Sequence, residues 1–594
     1  MSNRRKFLRT VALSIGGAYL SNSIGLNATG QAPIQKVTRS FRVDKQYLNL
    51  PVQTGAPMRR MTMLLGGRVE REFDIELAER EVDWWAFMDL ASFKGKLIML
   101  AVDELPQDSM GLRSVRQSDE LEGHKTIYRE ALRPQFHFSS RRGILGDANG
   151  LVFYEGEYHL FYQHYPYGLT GMPARAHWGH AVSTDLVHWQ ELPVALYPDQ
   201  HSGTISGSAV VDWNNTADFQ KGAEKTMIAI FTMVHITESL PPRGIAAQGL
   251  AFSNDRGRTW TKYEENPVLP TIVGVNRDPK VIWYVPDRKW VMALYLDRNQ
   301  YTLLSSLDLK QWQRMSDVTI PGDTGECPEF FEIAIDGNPN DTRWIFYGGN
   351  GRYLVGTFDG KKFSPQSGPH AMQHGNCWYA SQTFNDIPSV DGRRILIPWG
   401  RTSTEDDPFH YEGTEVPLYP GMSFEGAMGI PVNLTLRTTD EGLRLFANPV
   451  VEFESLRVRC DYVKAQTLHR EENLVPEVMG ELFDIVAEIA PDQSTEISFD
   501  IRGVSVVYDV QRQELSCANR RASLRLENGI LRLRMLIDRV SIDIFGNDGL
   551  LYMPMGVVFH EGNVPLQIQA EGGSAQINFL QVFELKSIWK SEAI

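Results

Sequence analysis

The sequence predicts an all-β protein: a five-bladed β-propeller followed by a C-terminal β-sandwich, with a small β module ahead of both. Three observations predict it. Short β-branched or alternating runs dominate, as in Tyr158–Tyr162, Met227–Phe231 and Trp344–Tyr347, while amphipathic helical periodicity is scarce. Gly, Asp, Asn and Pro punctuate these runs at short intervals. One turn motif recurs in order: Ser183-Thr184-Asp185 with Trp189, Ser253-Asn254-Asp255 with Trp260, Ser306-Leu307-Asp308 with Trp312, and a weaker Thr357-Phe358-Asp359 with Phe363. In each copy the hydroxyl and the Asp suit a tight turn, and the aromatic packs the next strand. The recurrence suits four-stranded blades, and a repeat region from about 133 to 436 holds about five of them at ~60 residues each.

The elements follow in order. Residues 1–30 carry Arg4-Arg5-Lys6 ahead of a weakly apolar run rich in Ala, Gly, Ser and Leu, which resembles a twin-arginine export signal. Residues 31–130 hold strand-like runs at Arg59–Leu65 and Lys96–Val102 and read as a small sandwich-like module. Residues 131–440 are the propeller. Residues 449–594, with runs at Glu496–Ile501 and Leu531–Asp538, read as a larger sandwich. A chain of 594 residues is too long for one core, which agrees with this division. No segment after the signal is apolar over the ~18 residues that a membrane span requires. The expectation is an exported protein, periplasmic or extracellular, without a membrane partner.

Charge and composition narrow the function. A net charge of -14 argues against a nucleic-acid partner, because phosphate binding needs clustered Lys and Arg. A neutral polar ligand fits better. Cys327, Cys377, Cys460 and Cys517 lack metal-ligand spacing and are too sparse for a disulfide scaffold. They read as buried free thiols, with a Cys327–Cys377 pair as the minor alternative. No dinucleotide fingerprint or phosphate loop occurs, so no cofactor and no metal is expected.

Three acids stand in tight settings. Asp147 lies in Gly146-Asp147-Ala148-Asn149-Gly150, Asp278 in Arg277-Asp278-Pro279, and Glu326 in Gly325-Glu326-Cys327-Pro328. Gly or Pro flanks each acid and a strand-like run follows, so each carboxylate is held at a strand edge and aimed into a cleft. Falling in successive blades, the three converge on one axial pocket. Glycoside hydrolysis asks for this: one carboxylate to attack or to steer water, and one carboxylic acid to protonate the leaving oxygen.

The order of several short motifs resembles glycoside hydrolase family 32, the family of invertases, inulinases and levanases. The motifs are Gly146–Gly150, Tyr158–Gln163, Trp178-Gly179-His180-Ala181, Asp185–Trp189, Ile205-Ser206-Gly207-Ser208, Gln248–Ala251, Asn266–Leu269, the Arg277-Asp278-Pro279 and Glu326-Cys327 segments, and Asp538–Phe545 in the tail. The N-terminal Asp83-Trp84-Trp85-Ala86-Phe87 is similar to a module ahead of some bacterial members. The resemblance implies retaining hydrolysis of β-fructofuranosidic bonds in a fructan or a sucrose-type fructoside. It gives Asp147 the role of nucleophile, Glu326 that of acid/base, and Asp278 that of the residue holding fructose hydroxyls and stabilising the transition state. Asn149, Gln163, Trp178, Ser206, Arg277 and Trp399 match positions at the sugar pocket. Arg277 is expected to hold Asp278 ionised. Departures from the family pattern are Gly146 and Ala148 on either side of Asp147, Cys377 in place of an Asp, and a rearranged stretch at 168–175. Two other readings remain beside the fructosidase: a furanosidase for arabinose-type sugars and a catalytically silent carbohydrate-binding propeller.

Overall fold

The structure is a computed structural model that describes residues 35–589 except 107, 173–174, 201, 236–245, 323–324, 403–418, 471 and 561–563. The expected export signal lies outside the described residues. Among those residues, helix is confined to Gly111–Ser114 and three short 3-10 segments, Ala91–Phe93, His124–Thr126 and Val451–Leu456. Among the described residues no helix is long and apolar enough to cross a membrane.

The N-terminal strands form two sheets face to face. One orders Gln35–Arg42, Leu97–Leu105, Arg59–Leu65 and Arg68–Ile75; the other orders Trp84–Asp89, Tyr47–Val52 and Arg116–Ser118. Burial alternates along Trp84–Asp89, as period-two side-chain placement requires of a half-covered strand. The core between the sheets does not close on itself. It takes in Ile144, Tyr165, Tyr167, Leu169 and Ala176 from the next domain.

The propeller strands pair as antiparallel meanders. Gly143–Tyr154, Glu157–Tyr165, His177–Ser183 and Gln190–Leu196 make the first sheet. Ser202–Asp212, Thr226–His235, Ala246–Ser253 and Thr261–Lys262 make the second; Arg277–Tyr284, Lys289–Asp297, Gln300–Ser306 and Gln313–Thr319 make the third. An eight-stranded sheet follows, whose halves Glu329–Ala371 and Cys377–Pro449 meet through one parallel pair, Ile335 with Leu436. The leading strands Gly143–Tyr154, Ser202–Asp212, Arg277–Tyr284, Glu329–Ile335 and Cys377–Thr383 touch in turn, and the last returns to the first. Phe424 and Glu425 then pair in parallel with Gly143 and Ile144, closing the ring.

The recurring Asp turn has one construction. Asp185 Oδ1 accepts the Val187 and His188 N–H groups at 3.0 and 2.8 Å, and Asp308 Oδ1 those of Lys310 and Gln311 at 2.9 Å each. The residue after each Asp is left-handed: Leu186 at φ 64°, Arg256 at 57° and Leu309 at 63°. Trp189, Trp260 and Trp312 each donate an indole N–H back to the turn carbonyl at 3.1, 3.0 and 3.0 Å. A local side-chain-to-backbone bond therefore fixes each hairpin, which is why the repeat is readable in sequence.

The C-terminal strands form a sandwich of a seven-stranded and a five-stranded sheet around one apolar core. A buried charged cluster joins it to the propeller. Asp538 accepts backbone N–H bonds from Gln135, Phe136 and His137 at 2.7, 3.0 and 3.3 Å. The His137 ring bridges Asp538 at 2.8 Å and Asp543 at 2.9 Å. Burial works against a charged His137, but the bonds to Asp538 and Asp543 outweigh it and push its pKa up to about 10. None of the four cysteines is in a disulfide, so no Cys327–Cys377 bond forms. Cys327 and Cys517 are buried, whereas Cys460 is exposed, contrary to the expectation of uniform burial.

The cluster sets a pH dependence. Below pH ~6.5 His137 is protonated in the folded and the unfolded chain, and its contribution is complete. From there to about pH 10 only the folded chain keeps the proton, so stability falls by up to ~1.4 kcal/mol per pH unit. Urea unfolding of wild type and His137→Gln across this range should show the decline in wild type alone.

Candidate active site

Three of the predicted residues sit at bulges, where a strand carries one residue more than its partner. Gly146 and Asp147 oppose Gln163; Ser206 is the extra residue between the pairs Ile205–Thr232 and Gly207–Phe231; Asp278 and Pro279 oppose Leu294. A bulge frees a residue from the ladder and turns its side chain. At all three positions the freed side chains meet. Asp278 also adopts φ 59°, with its N–H donating to Thr232 Oγ1 at 2.8 Å. The following Pro279 has no backbone N–H to donate to the ladder, which suits the bulge. Glu326 stands on the turn before Glu329–Ile335, and its neighbour Cys327 is left-handed at φ 47°.

The carboxylates are buried and shared by common donors. Asp147 Oδ2 accepts from Ser206 Oγ at 2.6 Å and from Gln163 Nε2 at 3.2 Å. Gln163 Nε2 also donates to Ser206 Oγ at 2.5 Å. The Cys327 thiol reaches Asp147 Oδ2 at 3.7 Å and Asp278 Oδ2 at 3.4 Å, and its N–H donates to Asp278 at 3.2 Å. One oxygen each of Asp278 and Glu326 and the Cys327 sulfur lie within 4.8 Å of one another. The legs through that sulfur, 3.7 Å and at most 4.8 Å, keep Asp147 and Glu326 nearer than the ~9.5 Å limit for carboxylate pairs that cleave glycosides. Asp278, Glu326 and Cys327 have the composition of a cation site, but the guanidinium of Arg277 already supplies positive charge there.

Arg277 differs from expectation. Its closest acid is Glu326, with Nη2 to Oε1 at 3.0 Å; Asp278 is 3.6 Å from Nε. It therefore serves both acids, not Asp278 alone. The guanidinium lies 4.6 Å over the Tyr295 ring, and Nη1 donates to the Val275 carbonyl at 2.7 Å. Burial opposes its charge, yet Glu326 and Asp278 together raise its pKa. Burial likewise pushes the Tyr295 phenol up to about 12, so it stays a neutral wall.

The next charged residues along the chain from Asp278 and Glu326 form a buried pair. Lys280 Nζ pairs with Glu329 at 2.9 Å and donates to the Thr383 carbonyl at 2.7 Å, both side chains fully buried. Gln382 and Asn385 donate to the carbonyls of Gly207 and Ala209, each at 2.8 Å. These contacts tie the leading strands together and give the site a floor.

Not every predicted residue joins the group. The Trp178 indole is fully buried between Phe161 and Phe231, and its N–H donates to the Ile205 carbonyl at 3.1 Å, so it packs the first sheet on the second. Asn149 bonds the backbone, accepting from the Gln163 N–H and donating to the Ala148 carbonyl at 3.1 Å each. Trp399 lies under Arg401, 5.3 Å from the guanidinium, beside the strand that leads to Asp147. Sequence reading missed the bridging thiol of Cys327, Thr232, and the Lys280–Glu329 floor. The adjacency of Cys327 to Glu326 was a signal for the first; the others depend on contacts between distant strands.

Comparison with known proteins bears on this geometry. The profile of "Glycosyl hydrolases family 32 N-terminal domain" matches residues 137–449, and "Glycosyl hydrolases family 32 C terminal" matches 452–584. A levanase of Bacillus subtilis (strain 168) is 37% identical over 506 residues, spanning 78% of this chain and 72% of that protein. An extracellular exo-inulinase of Aspergillus niger is 27% identical over 534 residues, 78% of this chain and 97% of its own. The crystal structure of the exo-inulinase from Aspergillus awamori superposes with a TM-score of 0.68 at 25% identity, covering 78% of this chain and all of that one.

The charge arrangement makes a prediction. Arg277→Met leaves Asp278 and Glu326 buried without their guanidinium and should cost about 3–5 kcal/mol of stability. Adding Glu326→Gln should return about 1–3 kcal/mol of it, as a double-mutant cycle in urea unfolding measures.

Proposed function

The chain belongs to glycosyl hydrolases family 32, and from that premise we propose that it is an exported, retaining hydrolase of β-fructofuranosidic bonds in levan, inulin or sucrose-type fructosides. That it is a glycosidase acting on β-fructosides follows from the family and its relatives, and this sets aside the arabinofuranosidase and silent-binder readings. The observation that carries the finer reading is the convergence of Asp147, Asp278 and Glu326, from three places far apart in sequence, around the Cys327 thiol.

In this reading Asp147 is the nucleophile. Ser206, Gln163 and Cys327 aim its Oδ2 and stabilise the anion, while the bulge points the carboxylate out of the ladder. Glu326 is the acid/base. It gives its proton to the leaving oxygen as Asp147 bonds to the fructosyl anomeric carbon. It then takes a proton from the water that breaks that bond. Arg277 steadies the carboxylate that Glu326 becomes once its proton has gone to the leaving oxygen, and the nearby Asp278 favours the protonated form in which Glu326 begins the next turnover. Asp278 holds sugar hydroxyls and, with Asp147, places negative charge against the oxocarbenium-like transition state. Gln163, Ser206 and Arg277 complete the pocket wall; Trp399 is assigned to its rim. No cofactor enters.

The domain division belongs to the same proposal: an export signal at 1–30, a module over 31–130, a propeller over 131–440 whose eight-stranded sheet divides into a fourth and a fifth blade, and a sandwich over 449–594.

Fructose release from levan, inulin and sucrose tests the reading. Wild type should act on at least one, and Asp147→Asn and Glu326→Gln should each lose ~10³-fold or more in turnover. Proton NMR of the first product should show the β-anomer of the freed fructosyl unit. Equal rates for wild type and both variants, or an inverted first product, would contradict it.

A further inference from the structure

The N-terminal module touches the propeller where the acids are. Glu76, at the end of the strand Arg68–Ile75, is fully buried. Its carboxylate accepts the Leu169 N–H at 2.9 Å, the Thr170 N–H at 3.2 Å and the Thr170 hydroxyl. Its own N–H donates to the Tyr167 carbonyl at 3.0 Å. The approach is so close that a Cβ on Gly168 would meet Glu76 Cγ at 3.0 Å, so a side chain there would press on the Glu76 carboxylate. The Tyr167 ring packs 4.3 Å from Phe73, and Arg175 pairs with Glu72 at 2.8 Å and Asp74 at 3.6 Å.

The segment held in this way leads to the site. Met172 packs against both the module core and the propeller core. Its Cε lies 3.3 Å from where a Cβ on Gly146 would stand, with Gln163 Cβ and Oε1 at 3.1 and 3.4 Å from the same point. Gly146 precedes Asp147, and Gln163 bonds its carboxylate. The space that a side chain at 146 would take is thus filled by a thioether delivered from 26 positions further along. Ile205, next to Ser206, packs on the same module core.

We propose that the N-terminal module is a built-in wall of the substrate pocket: Glu76 is a positioning residue that pins 167–170, so that Met172 stands over Gly146 and sets how tightly the fructosyl unit is gripped. This rests on reading Asp147 and Gln163 as the sugar site. A carboxylate accepting three donors from one short segment fixes that segment with charge-assisted bonds, stronger than neutral ones. A wall that contacts bound substrate and transition state alike governs binding and leaves the chemical step unchanged.

Steady-state kinetics of the full chain on sucrose and levan test it, with Glu76→Gln, Thr170→Val and Met172→Ala. Thr170 lies outside the module core and Met172 only packs on its edge, and melting temperatures of both variants check that the module stays folded. Each variant should raise KM by ~3–10-fold while kcat stays within about two-fold, the pattern of lost uniform binding. Glu76→Gln, which keeps one acceptor oxygen, should be milder than Glu76→Ala. Unchanged KM in Thr170→Val and Met172→Ala overturns the proposal, even if Glu76→Ala lowers the melting temperature, because the module then only stabilises. A wild type that cleaves no fructoside overturns the functional reading and this inference with it. A wild type that cleaves fructosides beside variants of wild-type KM overturns this inference alone.

Discussion

Three buried carboxylates gathered around one thiol are the constraint on which the rest of the structure depends. Like charges out of water repel strongly and are tolerated only when donors and cations are fixed around them. Here the compensation comes from every side of the ring: Ser206 and Gln163 on Asp147, Thr232 and Cys327 around Asp278, and Arg277 between Asp278 and Glu326. Apart from Arg277–Asp278 these contacts join residues distant in sequence, so the site exists only when the whole ring of leading strands is closed.

Closure is secured at several levels. Phe424 and Glu425 pair back onto the first strand, and the Lys280–Glu329 pair binds the leading strands beneath the acids. The His137–Asp538–Asp543 cluster ties the start of the propeller to the sandwich through a buried charge network. The module ahead of the propeller shares its core with the first sheet. Both flanking domains are therefore coupled to the geometry of the acids, the sandwich through the frame and the module through a segment beside Asp147.

What the sequence made legible was local. Asp185, Asp255 and Asp308 each bond their own turn, so the repeat shows in the letters before any fold is known. Gly or Pro beside Asp147, Asp278 and Glu326 marks backbone that leaves the regular ladder, and bulges or left-handed residues are found there. What stayed hidden was long-range. Trp178 reads equally as a sugar platform or a core residue, and only the Phe161 and Phe231 rings around it decide for the core. Arg277 adjoins Asp278 in sequence but binds Glu326 more closely in space. Glu76 and Leu169 meet across a separation that no spacing rule spans.

The most direct test is a crystal structure of the Glu326→Gln protein with a bound fructoside. The account predicts one fructosyl ring on the Lys280–Glu329 floor, its anomeric carbon ~3–3.5 Å from an Asp147 oxygen and its hydroxyls on Asp278. A sugar bound elsewhere on the propeller, or one whose anomeric carbon faces away from Asp147, would contradict it.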